Sequence, residues 1–274
     1  MTNQEIVALY PKIFSPLWKR SPLKIFFSLL VFSYLIFSIK YFNISVTELL
    51  NGLGKMKPIL LSMITWNDFI SWNFNSILVG ILQTLAMAFL GTFAASFISI
   101  PLGLLASRQV TKINLFRFII RRILDFIRGV DILIWALIFV RAFGLGPLSG
   151  VLAIFVADTG TLSKLYSEAA DNSDNKQIEG LVSSGSTKLS TIRFGLIPQV
   201  VPIFISQSLY FFESNSRSAV ILGIVGAGGI GLQLSERMKA QYWDQAFFII
   251  IIILIMVALI DKLSRFLREK LIND

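Results

Sequence analysis

Two glycine patterns are the first places where this sequence could carry out chemistry, because glycine-rich turns can bind phosphate groups. The run Gly226 to Gly231 satisfies G-x-G-x-x-G, which in a Rossmann unit places a pyrophosphate at a helix N-terminus. That site also needs an acidic residue about 20 positions later. Here the next acidic residues are Glu236 and Asp244, and a long apolar run follows them. The pattern therefore does not predict a dinucleotide site.

The second pattern, Gly180 and Gly185 separated by four residues, is like the start of a Walker A loop. Ser186 stands where that loop has its phosphate-binding lysine, so the loop lacks the charge that the β- and γ-phosphates require. We expect no ATP site, no catalytic residues and no cofactor in this chain.

A third set of reactive side chains consists of charges inside apolar runs. Asp125, Arg128 and Asp131 follow one another at i,i+3 spacing and share one face if the segment is a single helix. Asp158 stands alone in another apolar run. Charges that face lipid are costly, so these side chains should point into a helix bundle or lie near the inner surface. Structural ion pairing is favoured over substrate contact for the first three.

The composition identifies the environment in which such charges would lie. Apolar residues make up 55% of the 274 residues, and the mean hydropathy is +0.73, which is outside the range of soluble domains. The chain has no Cys and no His, which excludes disulfides, thiolate metal sites and imidazole catalysis. We predict no metal site. The net charge of +9 is interpreted as basic loops at a membrane surface, not as a nucleic-acid interface.

The apolar runs predict an all-α polytopic membrane protein with about six transmembrane helices. The predicted spans are 25–39, 76–107, 124–143, 148–165, 195–212 and 243–260. The segment 41–74 is predicted to lie at the outer interface, where its aromatic rings suit the headgroup level. The residues 213–242 are predicted as an outer segment with a re-entrant loop at 219–227.

The spans also predict the domain organisation and the topology. A cytoplasmic tail at 1–24 precedes a first span and outer segment at 25–74, a transmembrane core at 75–263 and a cytoplasmic tail at 264–274. Lys and Arg are more than twice as frequent in the segments assigned to the inside as in those assigned to the outside. The positive-inside rule then places both termini in the cytoplasm of a multi-pass inner-membrane protein.

The polar stretch 179–198 between spans four and five resembles the EAA signature of ATP-binding-cassette importer permeases. The resemblance rests on Glu179, on Gly185 six residues later and on the closing Pro198, whereas Gly180 and Leu181 fill the two slots for small residues only in part. The resemblance implies two short cytoplasmic helices, within 167–194, that dock into a groove on the ATPase.

A longer resemblance covers most of the chain from about residue 75 to 260. The segments 140–154, 164–169 and 193–231, the last with Arg217 to Ala219 leading into Val225 to Gly229, look like the permease of phosphonate importers. This implies the type I importer permease architecture, a homodimeric permease, two ATPase subunits and an extracytoplasmic binding protein. Phosphonate, phosphite, hypophosphite and phosphate esters remain open as ligands, and methionine permeases share the glycine-rich loop.

The candidate translocation path comprises Arg217 with its neighbours Asn215 and Ser218, together with Asp158 and Arg128. A guanidinium matches an oxyanion in a bidentate way, so Arg217 is predicted either to bind the ligand at the mouth of the path or to pair with Glu213. Two other functions stay open at this point. One is a membrane-embedded enzyme, which the absence of His opposes, and the other is an ion-driven secondary carrier, which should show internal repeats.

Overall fold

The computed structural model describes residues 22–43, 45–66, 69 and 72–273, and every regular element within them is a helix. The chain divides into two compact units, Met1–Leu61 and Ser62–Asp274, and each is described by itself. Of the predicted tail at 1–24, residues 1–21 lie outside the described residues.

The first unit contains α1, Pro22–Tyr41, and most of α2, Val46–Ile64. The α1 helix matches the predicted first span, and its large apolar side chains are exposed around the whole helix, as expected for a helix surrounded by lipid. The α2 helix was not predicted. It lies in the segment that the sequence assigned to an irregular outer interface, and it continues through Pro58.

The described residues of the second unit form nine further α-helices. In chain order they are α3 Phe74–Ala106, α4 Asn114–Gly129, α5 Ile132–Phe143, α6 Pro147–Asp171, α7 Asn175–Ser183, α8 Lys188–Thr191, α9 Ile197–Leu222, α10 Gly229–Lys239 and α11 Trp243–Asn273. In the described part of the chain, five helical stretches are long and apolar enough to cross a membrane, and α5 is a shorter apolar helix. The predicted all-helical, polytopic fold is confirmed.

The predicted third span, 124–143, is not one helix. The α4 helix ends at Gly129, Val130 is extended, and α5 begins at Ile132. Both helices lie antiparallel to α6, because Asp125 contacts Lys164 near one end and the Phe139 carbonyl accepts a hydrogen bond from Ser149 near the other. The predicted third span is therefore a broken helix made of α4 and α5, and these two helices together are called the third crossing below.

The predicted outer segment 213–242 is also helical for most of its length. The α9 helix continues to Leu222, a π-helical turn follows at Gly223–Ala227, and α10 covers most of the remainder. The predicted re-entrant loop is thus the last turn of α9 and the π turn. Gly226 in this turn has a φ of +109°, which accounts for a glycine at that position.

Small residues bring α3 and α6 together over most of their length. A Cβ added at Gly91 would lie 2.7 Å from the Ile154 Cβ, and one added at Gly103 would lie 2.7 Å from the Tyr166 Cβ. Close approach of backbones at small residues is the usual way in which membrane helices pack. This contact forms the rigid centre against which the other helices of the unit are placed.

The two ends of this bundle differ in chemistry. Trp66, Phe69, Trp72, Phe74 and Phe248 form one aromatic cluster, with ring centroids 4.9–6.4 Å apart. At the opposite end of α3, Asp171 binds the Arg121 guanidinium at 2.7 Å and the Ser107 hydroxyl at 2.8 Å. An aromatic end and a basic end are what the two interfaces of a bilayer favour.

Candidate functional site

A polar cavity of about 250 Å³ lies where the third crossing is broken. Its polar lining residues come from three helices, α4, α6 and α9, and from the α4–α5 break; they are Arg128, Asp131, Asp158, Thr161, Ser214, Asn215 and Ser218. The α3 helix has 33 residues and a length of about 50 Å. Thr92 of α3, which contacts Asn215 of this cavity, is near the middle of that length. The cavity therefore lies at the level of the middle of α3, and it is open on the side where Arg128 and Asp131 are exposed.

The helix break itself shapes one wall of the cavity. Asp131 has extended dihedral angles and caps α5, because its Oδ1 accepts a hydrogen bond from the Leu133 amide at 2.8 Å. The cap satisfies one of the amides that a helix start leaves unpaired. Irregular backbone at membrane depth is tolerated where it is covered by protein or lines a cavity, and this break does both.

The wall opposite the break is built around Asp158, which is buried with 6% of its surface exposed. The Asn215 side-chain amide donates to Asp158 Oδ2 and also to Thr92 Oγ1, the latter at 2.7 Å. One amide thus connects α9 to both α3 and α6. Asp158 Oδ1 accepts no hydrogen bond from any described residue, so the carboxylate keeps acceptor capacity for something else in the cavity.

Arg128 is the cation of the cavity, and its pairing is loose. Its guanidinium lies 3.7 Å from Asp125 Oδ1, a carboxylate that also contacts Arg122 and Lys164 at 3.4 Å each. The prediction that Asp125, Arg128 and Asp131 share one helical face is wrong, because α4 ends at Gly129 and Asp131 caps α5. The structure thus keeps Arg128 and Asp131 at the cavity and leaves Asp125 in the ion-pair cluster beside it.

Arg217 is not at this cavity. It was predicted to lie past the outer end of span five, but it is inside α9, where its guanidinium binds both oxygens of Asp261 at 2.9 and 3.0 Å. It also lies 3.5 Å from Glu213, and Glu213 in turn binds Arg268 at 2.6 Å. We call these four residues the α9–α11 ladder. Of the two roles predicted for Arg217, the geometry favours pairing.

Sequence reasoning missed several residues of the cavity. Thr161 follows Asp158 by one helical turn, and Ser214 precedes Ser218 by one turn, so helical spacing could have identified both. Thr92 gave no such signal, because it is 123 residues from Asn215 in the chain. Asp131 was singled out as a charge in an apolar run, but its place at the cavity depends on a helix break that the apolar pattern does not show.

The predicted coupling segment forms two short helices, α7 and α8, joined by a turn at 184–187. Gly185 in this turn has a φ of +82°, and a Cβ added there would meet no atom within 4 Å. Glu179 and Gly180 are exposed on α7, and Pro198 is exposed in the first turn of α9. These four predicted docking residues are therefore accessible on the surface of the unit.

Leu181 differs from the other predicted docking residues because it faces inward. A Cβ added at Gly195 would lie 2.9 Å from Leu181 Cδ1, so this leucine packs α7 onto the π turn at Ile192–Leu196, which leads into α9. The exposed apolar side chains of the segment are others: Val182 (58% exposed), Leu189 (78%) and Phe194 (63%). Exposed apolar side chains grouped on a short helical segment mark an interaction surface.

The chain is similar to known proteins both in sequence and in fold. Residues 99–272 match the family "Binding-protein-dependent transport system inner membrane component". The phosphite transport system permease protein PtxC of Stutzerimonas stutzeri is 32% identical over 228 residues, which are 82% of this chain and 81% of the relative. HtxC of the same organism, provisionally assigned to phosphite transport, is 38% identical over 72% of this chain and 70% of its own length.

More distant relatives and solved structures extend the comparison. The glycine betaine/carnitine transport permease protein GbuB of Listeria monocytogenes is 24% identical over 69% of this chain and 65% of the relative. An inward-facing structure of the MetNI methionine ABC transporter aligns with a TM-score of 0.63 at 19% identity, over 75% of this chain and 99% of that chain. An amino acid ABC transporter aligns with a TM-score of 0.62 at 18% identity, over 75% and 100%.

Proposed function

The chain belongs to the family of binding-protein-dependent transport system inner membrane components, and from this membership we propose that its ligand is a phosphorus oxyanion such as phosphite or a phosphonate. It is the permease subunit of an ATP-driven importer. The observation that carries the ligand assignment is the level of identity: relatives assigned to phosphite transport share 32–38% of residues over most of both chains. The relative named for glycine betaine and carnitine transport shares 24%.

The cavity at the α4–α5 break supports an oxyanion as ligand. It presents one guanidinium and three hydroxyls, beside the carboxylates of Asp131 and Asp158, around a volume of about 250 Å³. Guanidinium and hydroxyl groups are donors suited to phosphorus-bound oxygens. We infer that Arg128, Asp158, Asn215 and Ser218 belong to the translocation path, and that Arg217 acts through the α9–α11 ladder instead. A weak site is what transport requires, because the ligand must also leave.

The coupling segment is the proposed docking site for the ATPase. Glu179, Gly180, Gly185 and Pro198 are accessible, and Val182, Leu189 and Phe194 add apolar surface that a partner can cover. Leu181 contributes by fixing α7 to the π turn that leads into α9. A motion of the docked helices therefore passes directly into α9, which carries Asn215 and Ser218. ATP hydrolysis itself belongs to the separate ATPase subunit, and this chain contributes no catalytic residue.

The proposed assembly contains two copies of this permease, two ATPase subunits and an extracytoplasmic binding protein. The basic end of the bundle, around Arg121 and Asp171, is assigned to the cytoplasm together with both termini. With no native cysteine in the chain, a single cysteine at Asn273 reports on this topology. It should react with a membrane-impermeant maleimide only after the cells are opened, and labelling of intact cells would contradict the assignment.

Uptake by the complete transporter tests the ligand. Cells that lack other phosphite importers and express the permease with its ATPase and binding protein should take up ³³P-labelled phosphite, and unlabelled methylphosphonate should compete whereas methionine should not. Equal competition by methionine would overturn the ligand assignment.

A pair of substitutions at one glycine tests the docking site. Gly185→Arg places a long side chain on the exposed turn, whereas Gly185→Asn keeps a small side chain that tolerates a positive φ. We expect Gly185→Arg to reduce co-purification of the ATPase by about tenfold or more, as expected for a clash in the centre of an interface, and Gly185→Asn to stay near the parent. Glu179→Ala should weaken the complex less. Equal co-purification in the two Gly185 variants would refute docking at this turn.

A further inference from the structure

We propose that Asp158 makes the cavity at the α4–α5 break selective for oxyanions that bring an acidic proton, so that hydrogen phosphite is accepted and sulfate is rejected. The inference rests on the proposed function, since it assumes that an oxyanion passes through this cavity. Asp158 is then a residue that determines ligand specificity, and one proton lies between its carboxylate and the bound anion.

Three charged side chains of the described residues line the cavity. Arg128 is its cation, and Asp131 and Asp158 are its two carboxylates. The two acids differ in their free capacity: Asp131 caps α5 through the Leu133 amide, whereas Asp158 Oδ1 has no hydrogen-bond partner among the described residues. Asp158 is thus the buried carboxylate among the lining residues whose second oxygen is available as an acceptor.

A carboxylate and a fully deprotonated oxyanion carry only acceptors, so they repel each other when they meet at hydrogen-bonding distance. One proton between them converts this contact into a charge-assisted hydrogen bond, which is among the strongest that proteins form. Hydrogen phosphite and hydrogen phosphonates supply that proton from their P–OH group. Sulfate has no proton to supply near neutral pH.

Asn215 donates one hydrogen bond to Asp158 Oδ2 and a second to Thr92 Oγ1, so its amide cannot rotate without losing both contacts. Asn215 therefore acts as a positioning residue that holds Oδ1 toward the cavity. The remaining ligand oxygens then face Arg128 and the hydroxyls of Thr161, Ser214 and Ser218.

The experiment measures anion binding to the permease–ATPase complex in lipid nanodiscs without the binding protein. Isothermal titration with phosphite and with sulfate, in two buffers of different ionisation enthalpy, gives the affinity and the protons bound per anion. Above the second pKa of phosphite, the parent complex should take up one proton from solution for each phosphite that it binds, and the affinity should fall about tenfold per pH unit. Sulfate should bind at least about tenfold more weakly.

Two variants assign the effect to one carboxyl group. Asp158→Asn replaces the carboxylate by a nearly isosteric amide that can donate to a bare oxygen, so phosphite and sulfate should bind within about threefold of each other, without the pH slope. Asp131→Asn should retain the slope and the rejection of sulfate. If Asp131→Asn loses both and Asp158→Asn keeps them, the assignment to Asp158 is wrong.

The parent complex tests the proposal even if a variant does not fold. A parent that binds sulfate as well as phosphite, that binds phosphite without a pH slope, or that binds neither anion overturns the inference. These outcomes are separate from failure of the proposed function. If cells take up phosphite normally while the affinity of the parent complex for phosphite does not depend on pH, the proposed importer function is supported and the proposed selectivity at Asp158 is wrong.

Discussion

Two regions of the second unit place charged side chains inside helices of membrane length, and they differ in how those charges are satisfied. In the α9–α11 ladder every charge has an opposite partner: Arg217 binds Asp261, and Glu213 lies between Arg217 and Arg268. In the cavity at the α4–α5 break, Asp158 has an oxygen without a partner and Arg128 is 3.7 Å from a carboxylate that two other cations share. Paired charges hold helices together, whereas incompletely paired charges around a cavity leave capacity for a ligand.

The largest effect on stability is expected from charge reversal in the α9–α11 ladder. Arg217→Asp leaves Glu213 and Asp261 beside a third carboxylate, and loss of the pairing should lower the stability of the complex by roughly 2 kcal/mol, or about 4–8 °C in apparent Tm. The figure is below that for a fully buried pair because the Arg217 side chain is 45% exposed. Thermal unfolding of the purified complex measures it.

The double variant Arg217→Asp with Asp261→Arg is the matched control for that reversal. It restores one opposite pair across α9 and α11, so most of the lost stability should return. If the double variant is no more stable than Arg217→Asp, the ladder does not join the two helices.

In the cavity region, the largest stability effect is expected from Asn215→Leu. The substitution removes the donor for both Asp158 Oδ2 and Thr92 Oγ1, which leaves buried acceptors unsatisfied at a cost of about 1–3 kcal/mol. Gln207→Leu is the control, because Gln207 Oε1 is already buried without a hydrogen-bond partner. Equal loss of thermal stability in both variants would show that the three-helix contact of Asn215 contributes little.

The same conservative change at two arginines distinguishes the regions most directly. Arg217→Lys keeps a charge that can still pair with Asp261, so phosphite uptake per folded transporter should stay within about twofold of the parent. Arg128→Lys loses the planar fork that faces the cavity, and uptake should fall about fivefold or more with little change in Tm. A transport defect confined to Arg217→Lys would reverse the roles assigned to the two regions.

The smallest effect is expected at the edge of the cavity. Ser218→Ala removes a hydroxyl whose only hydrogen bond to the described residues is a long one, 3.4 Å, to the Ser214 carbonyl, so stability should change by less than about 0.5 kcal/mol. Uptake should fall about twofold if the hydroxyl contacts the ligand. Unchanged uptake in both Ser218→Ala and Ser214→Ala would remove the α9 hydroxyls from the path.

The sequence predicted the helical fold because long apolar runs have few alternatives in a bilayer. It also selected Asp158, since a lone carboxylate in an apolar run is costly and needs a reason, whereas Asn215 was selected only as a polar neighbour of Arg217. It could not predict the partners, because Asn215 is 57 residues from Asp158 and 123 from Thr92. For Arg217 the local i,i+4 partner Glu213 was visible in the sequence, whereas Asp261, 44 residues away, was not.

The broken third crossing was missed for a different reason. The run 124–143 contains no proline, and its one glycine, Gly129, does not by itself end a helix. The break depends on the Asp131 cap and on Gly160 of α6, where an added Cβ would lie 3.0 Å from the Arg128 backbone nitrogen. Packing between helices decides such a feature, and a single sequence contains no record of it.

The break at 130–131 also changes how fast individual amides of the third crossing exchange with water. In the described chain the Asp131 and Ile132 amides donate to no carbonyl, whereas the flanking turns of α4 and α5 are hydrogen-bonded. Protection against deuterium exchange follows the free energy of opening, which is close to zero for an amide without an internal acceptor. Two rapidly exchanging amides between two protected helices would therefore mark, at the level of single residues, where water reaches the interior of this bundle.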